Sequence, residues 1–312
     1  MDRLESMKTL VVAVEAGSFS AASRKLGMPL ATVSRKVSEI EAHLKTQLVV
    51  RSSRRLELTD AGRLYIESCR SILEQIGEAE RAASGEYSEP RGSLTITAPI
   101  VFGRLHVLPI IADFIGTYPD IDVRLIQADR VVNLLEERVD LAIRIGELPD
   151  SSLVAAKIGT IRRVVCGSPG YFEARDVPRT PTDLKTHDCI TFAGLASPEA
   201  WTFRKGKSEV SVPVHSRLVV NTAEAAIDAA VSGIGLTRVL CYQIATARRS
   251  SALATVLEEF EPAPWPVSMV YAGQARLPLK LRAFIDFAMP RLRARLVESA
   301  AQAQTTLLEP QQ

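Results

Sequence analysis

The chain opens on short amphipathic segments with a helical period. Leu4, Met7, Val11 and Val14 recur at three- and four-residue spacing and predict a first helix. Gly17 ends it, where a left-handed cap residue is favoured. Ser18 or Ser20 is placed to cap a second helix that stops at Gly27. A third is expected over Leu30–Leu44. Its Val33, Val37, Ile40 and Leu44 fall in one narrow arc at about 100° per residue, so Ala31, Arg35 and Ser38 point away, with Thr32 and Ser34 on the flanks. Residues 48–50 and 56–58 read as two short strands around Arg51, Ser52, Ser53, Arg54 and Arg55. Thr59 then caps a long helix from 60 to about 86, roughly 40 Å at 1.5 Å per residue. Along it Tyr65, Cys69, Ile72, Ile76, Ala79 and Ala83 alternate spacings of four and three, a narrow a/d seam beside a charged remainder. A helix this long, leaving a small domain, has little local core to lie on, so the seam predicts pairing with a second copy of the chain.

After a break at 84–92 that reads as a hinge, the pattern changes to α/β. Segments 93–98, 121–126, 141–145, 163–167, 190–192, 201–203, 218–220, 234–239 and 267–271 read as strands. Segments 102–118, 131–137, 223–232 and 279–289 read as helices. The alternation predicts parallel sheets covered on both faces, in two subdomains with a cleft between them. The tail from Ala300 is expected to be frayed or disordered. The expected boundaries are 1–59 for the first domain, 60–92 for the linker helix and hinge, 93–290 for the α/β region and 291–312 for the tail.

Charge sharpens the N-terminal reading. Within residues 20–55, Arg24, Lys25, Arg35, Lys36, Lys45, Arg51, Arg54 and Arg55 face only Glu39 and Glu41, although the whole chain carries a formal net charge of +2. A basic patch confined to one segment is the electrostatic footprint of a DNA contact. The two short helices split by Gly27-Met28-Pro29 are a helix-turn-helix pattern, whose second helix enters the major groove. Small, hydroxylic and basic residues on its outward face suit base contact, and Arg35 has the donors to pair with guanine O6 and N7. The alternative is an ordinary solvated helix face; the turn and the arginine-tipped hairpin weigh against it. Paired readers, joined through the long helix, match two half-sites about one helical turn apart.

Other classes find less support. No apolar h-region follows the N-terminus, and no run of about 18 uncharged apolar residues predicts a membrane span. Cys69, Cys166, Cys189 and Cys241 lie far apart without CxxC spacing, so a metal site is not expected, and a cytoplasmic chain with reduced thiols is the simplest reading. No nucleophile–base pair, GxGxxG or phosphate loop points to an enzyme or a cofactor. A secreted solute-binding protein would leave the basic N-terminal module unexplained. Redox sensing by the scattered cysteines is weaker than their reading as small buried apolar residues.

The residues VEAGSFSAASRKLGMPLATVSRKVSEIEAHLKTQLVVRSSRRLELTDAG, followed by LTITAPIVFGRLHVLPIIADFIGTYPDIDV, VDLAIRIGEL, SPGYF and GIGLTRVL, resemble a LysR-type transcriptional regulator over roughly 1–290. The resemblance implies a winged helix-turn-helix, a long linker helix and a two-lobed effector domain like a periplasmic binding protein, within an α/β class. One lobe would combine about 93–163 with 267–290 and the other would span about 164–266. It implies promoter DNA, a homodimer assembling into a homotetramer, a small-molecule inducer between the lobes and RNA polymerase as partners. By position, DNA contacts would come from Ser34 and Arg35, with Thr32 and Ser38, and from Arg51, Ser53, Arg54 and Arg55 on the wing. The inducer site would use Pro99, Ile100, Val101 and Phe102 at a helix start, then Gln127, Arg144, Gly146, Asn221 and Thr222. A helix start attracts anions through its free N–H groups. Family members that bind small carboxylates often carry Ser or Thr where this chain has Pro99, which offers neither hydroxyl nor N–H. Arg144 is the alternative anion partner, with a structural ion pair to Glu147 or another acid as its equally weighted role.

Overall fold

The computed structural model describes residues 2–51, 56–83, 89–149, 151–192, 200–206, 208–273 and 277–305. The chain divides into two compact units, 1–89 and 90–312.

In the first unit each helix begins and ends where its local chemistry dictates. The Asp2 side chain accepts from Glu5 N, and Arg3–Glu15 follows. Ser18 Oγ accepts from Ala21 N at 3.1 Å and starts Phe19–Leu26, which Gly27 closes in the left-handed region at φ 62°. Pro29 precedes the third helix, Leu30–Leu44. Its Val33, Val37 and Ile40 are buried with Leu10, Val11, Ala13 and Ala22. Strands Val49–Arg51 and Leu56–Leu58 pair antiparallel, with Val49 opposite Leu58. Glu41 Oε1 ties the third helix to this hairpin by accepting from Leu48 N at 2.9 Å and Val49 N at 3.1 Å. Thr59 Oγ1 accepts from Gly62 N at 2.9 Å and donates to Gln47 O at 2.8 Å, so it caps the helix Asp60–Ala83 and fastens it to the segment that leads into the hairpin.

The second unit holds two five-stranded sheets, both mixed rather than parallel. In the first, Gly92–Ala98 is flanked by parallel Ile121–Gln127 and Leu141–Ile145. The late strand Trp265–Ala272 then inserts antiparallel between Leu141–Ile145 and the edge strand Leu153–Ile161. In the second, His215–Val220, Asp188–Phe192 and Leu236–Leu240 run parallel, and Arg163–Gly167 and Ala254–Val256 are antiparallel additions. The chain therefore passes between the sheets twice, at Arg162 and again between Val256 and Trp265. An ion pair joins the two crossings: Arg162 Nη1 lies 3.1 Å from Glu261 Oε2. Arg163 lies over the Trp265 ring at 4.2 Å from its centroid and donates to Ala263 O.

Four expectations are corrected. Residues 131–133 are irregular and 134–138 form turns, not a helix, with Asn133 Oδ1 accepting from Leu135 N to cap the turn locally. Leu153–Ile161 is a strand the periodicity did not mark, since an edge strand of this composition lacks clear alternation. Ala200–Lys205 has a partner, Ser208–Pro213, in a separate hairpin. The last helix runs Leu279–Thr305, through Pro290 and past Ala300. Buried Leu292 and Leu296, with Arg293 donating to Lys157 O and Arg295 to Leu105 O, hold the stretch after the proline against the first sheet's lobe. Residues 306–312 lie outside those described.

Candidate nucleic-acid interface and effector cleft

Burying Val33, Val37 and Ile40 turns the opposite side of Leu30–Leu44 outward. Arg35 is 65% exposed, and Thr32, Ser34 and Ser38 are half-buried on that side and its flanks. Arg35 Nη1 lies 2.6 Å from Glu39 Oε1, one turn along. Some of the local positive charge is answered from the first helix, outside the counted segment: Lys36 Nζ sits 2.6 Å from Glu5 Oε2, and Lys25 Nζ 3.7 Å from Glu15 Oε2. Lys36 is therefore a structural cation, whereas Arg35 stays at the surface. Arg51 pairs through its backbone with Leu56 at the mouth of the hairpin. Ser53, Arg54 and Arg55 lie outside the described residues.

The linker seam divides. Cys69 is fully buried and Tyr65 half-buried, in one core with Leu10, Ile40 and Ile66. The reason is the 3.6-residue period: Ile66, Cys69 and Leu73 make the inward stripe, and the helix does have a local core to lie on. Ile72 is 40% exposed and Ile76 half-buried. Ala79 and Ala83 are helical, with side chains outside the description.

In the second unit, Pro99 precedes one continuous helix, Ile100–Thr117, whose residues Gly103–Val107 are wound as a π-helix. The helix is long and apolar enough to cross a bilayer, yet Val101, Phe102, Val107, Ile110, Ile111 and Phe114 are buried in the core. Val101 and Phe102 thus present no side chain at the surface. Ile100 N donates to Asp129 Oδ1 at 3.0 Å, so one of the helix-start N–H groups expected to attract an external anion already holds an internal carboxylate. Gln127 covers Gly103: a Cβ there would meet its Cγ at 3.1 Å. Thr222 Oγ1 caps Ala223–Val231 by accepting from Ala225 N, and Asn221 is exposed beside it. Gly146 takes φ 115°, a conformation that favours glycine, near Trp265. Among the described residues Arg144 forms no ion pair with Glu147, though the Glu137 carboxylate acts on it. Arg144 donates to Val132 O at 2.6 Å and Arg130 O at 3.4 Å, bracing the turn segment, while Arg130 pairs with Glu137.

Three residues that sequence reasoning missed meet at the lobe junction. Tyr242, from the second sheet's side, packs edge-on against Phe102 at 5.6 Å and against His106 at 5.2 Å. Burial, reinforced by Arg295, lowers the His106 pKa to about 4, so its ring is neutral at pH 7. Asp129 is the third. Their convergence depends on pairings more than 20 residues apart and carries no local signal.

The cysteines form no disulfide, and burial raises the thiol pKa of Cys166 and Cys189 to about 12 and that of Cys241 by a smaller amount. Such thiols are poor thiolate sources.

Residues 4–63 match the family "Bacterial regulatory helix-turn-helix protein, lysR family", and residues 88–293 match "LysR substrate binding domain". An HTH-type transcriptional regulator of Xanthomonas campestris is 35% identical over 286 residues, covering 90% of this chain and 83% of that protein. An HTH-type transcriptional repressor of Pseudomonas aeruginosa is 33% identical, covering 93% and 92%. The solved structure of CrgA, a LysR-type transcriptional regulator from Neisseria meningitidis, superposes with a TM-score of 0.59 at 28% identity, covering 92% of this chain and 98% of that one.

Proposed function

The chain belongs to the LysR family of transcriptional regulators, and from that premise we propose which of its residues do the work. It is a DNA-binding regulator with an N-terminal helix-turn-helix and a two-lobed α/β effector-binding domain. The finer assignment begins with Leu30–Leu44 as the helix that lies in the major groove. Thr32, Ser34, Arg35 and Ser38 face the bases and adjoining phosphates, and Arg51, Ser53, Arg54 and Arg55 follow the backbone beside it. One observation carries this reading: burial of Val33, Val37 and Ile40 leaves Arg35 on the opposite, exposed side. In the same reading a homodimer forms through the outer stripe of Asp60–Ala83, with Ile72 at its centre, and further pairing gives a tetramer. Promoter binding places the protein in the cytoplasm, in contact with RNA polymerase, and assigns it no catalytic step.

An effector held between the two sheets changes DNA binding through a difference in its affinity for two arrangements of the lobes. Pro99, Ile100, Gln127, Gly146, Asn221 and Thr222 border this site. Val101 and Phe102 support it from beneath, and Arg144 shapes its rim. The test is footprinting of the full-length protein on the fragment upstream of its own gene. A protected inverted repeat supports the reading. Replacement of Arg54 or Arg55 by Ala should then weaken all sequences evenly and lower the salt slope by about 0.9 per lost phosphate contact. Uniform protection at every salt concentration contradicts it.

A further inference from the structure

Away from the cleft, the second sheet bears a cavity of about 510 Å³, within the roughly 300–1,000 Å³ of small-molecule sites. It lies at the starts of the parallel strands. Asp188 begins one of them, Arg217 is near the start of its neighbour His215–Val220, and Ile234 precedes Leu236–Leu240. Ser168 caps the helix Pro169–Arg175 and Arg175 ends it; seven residues apart, the two share a face. Asn221 and Thr222, assigned to the effector cleft, begin at the other end of Ala223–Val231, whose far end carries Val231 and Ile234. That nine-residue helix sets cleft and cavity about 13 Å apart.

The walls of the cavity differ in chemistry. Arg217 Nη1 donates to Asp188 Oδ2 at 2.9 Å, and Arg175 Nη2 approaches the same oxygen at 3.5 Å. One carboxylate thus answers two guanidiniums, which leaves a net positive charge beside the cavity. Arg217 takes the hydrogen bond; among the described residues Arg175 makes none, and its side chain is half-exposed. Ser168 is buried, 7% exposed. Its Oγ accepts from Tyr171 N at 3.4 Å, and its own proton meets no acceptor among the described residues. Gly233 keeps the space before it open, since a Cβ there would stand 3.6 Å from Ser168 Oγ. The remaining wall is largely apolar, with Val231 39% and Ile234 36% exposed. A structural ion pair needs only one cation for Asp188. A second guanidinium without a hydrogen bond, beside a buried hydroxyl with an unused donor, is an anion site short of its anion.

We propose that this cavity is a second ligand site, separate from the effector cleft, for a small carboxylate with an apolar body. The planar Arg175 fork matches a carboxylate, and Arg217 offsets the charge of Asp188, so the incoming anion is not repelled. Ser168 offers one further donor. The carbon body covers Val231 and Ile234, two apolar side chains otherwise left in water. This orientation also keeps the ligand's charge away from the C-terminal end of Ala223–Val231, where the helix dipole disfavours anions.

The experiment titrates the full-length protein, by calorimetry, with hexanoate, hexanol and inorganic phosphate. Hexanoate is expected to bind, and hexanol and phosphate each at least about tenfold more weakly, because each lacks one half of the recognition. Arg175→Gln should weaken hexanoate about tenfold, as expected for a lost charge-assisted hydrogen bond. Ile234→Ser should weaken hexanoate and leave phosphate unchanged. Arg175 and Ile234 are both exposed enough to be replaced without loss of the core, and an unchanged melting temperature of each unliganded variant checks this. Hexanoate binding indifferent to both substitutions would overturn the site. Hexanol as tight as hexanoate would overturn the role of the charge, and phosphate as tight as hexanoate that of the apolar wall. No hexanoate binding up to about 10 mM would overturn the proposal outright.

Discussion

Replacing Arg35 by Ala is the most informative single perturbation, because the structure sets two opposing contributions. In the unbound protein the guanidinium is exposed and paired with Glu39 at 2.6 Å. An exposed i,i+4 pair contributes only about 0.3–0.5 kcal/mol. A bidentate contact to guanine contributes about 1–3 kcal/mol of discrimination. Releasing Arg35 from Glu39 subtracts the smaller amount from the larger, so the net loss in Arg35→Ala is about 0.5–2.7 kcal/mol, roughly 2- to 100-fold in Kd. Glu39→Gln should act in the opposite direction, tightening binding about twofold by releasing the guanidinium beforehand. Fluorescence anisotropy at one salt concentration, on the protected fragment and on variants with single guanines replaced, measures both. Arg35→Ala should lose discrimination at one base position and keep it elsewhere. Equal affinity and unchanged base preference in Arg35→Ala would refute the groove assignment. So would a Glu39→Gln effect that persists in the double variant.

Other outcomes follow from packing and titration. Gly62→Ala suits intrinsic helix propensity by about 1 kcal/mol, but its Cβ would stand 1.9 Å from the Leu48 carbonyl oxygen. The N-terminal unit should therefore lose about 1–3 kcal/mol, and a raised melting temperature would contradict the close approach. Ile72→Glu places a charge on the exposed stripe of the linker helix and should shift sedimentation from dimer towards monomer; an unchanged profile removes Ile72 from the interface. His106 has a folded pKa of about 4 against 6.5 for the ordinary imidazole. The unfolded chain then binds the extra proton, so stability falls as pH drops from 6.5 towards 4, by roughly 3 kcal/mol in all. His106→Gln should lack that component, visible as the difference between wild-type and variant denaturation midpoints across this window; parallel curves would show that the imidazole is not buried neutral.

The N-terminal unit was largely legible because its signals are local. Ser18, Gly27 and the arc of Val33, Val37 and Ile40 act within one or two turns, and Thr59 caps the helix that immediately follows. Most strands of the second unit were readable, but Leu153–Ile161, Ser208–Pro213 and Ala254–Val256 were not, and neither was strand direction. Trp265–Ala272 pairs with residues more than 100 positions earlier, and nothing in its own pattern indicates an antiparallel insertion. The last helix, expected over 279–289, continues through Pro290, where buried Leu292 and Leu296 outweigh the hydrogen bond that proline removes. The linker seam misled for a different reason. Its spacing fits a dimer interface, while Cys69 answers the core of its own unit. At the cleft, Pro99 marked a departure that could be seen in the residues, but the carboxylate that occupies its neighbour's N–H comes from Asp129, 29 positions away.

The central claim is that Leu30–Leu44 reads duplex sequence, and competition binding tests it most directly. Full-length protein is held on a labelled fragment from upstream of its own gene and challenged with unlabelled copies of that fragment or of a scrambled one. A specific reader requires the matching competitor to displace at a concentration at least a thousandfold lower than the scrambled one, with that ratio reduced in Arg35→Ala by no more than the loss of one base contact. Equal displacement by both competitors would contradict the account.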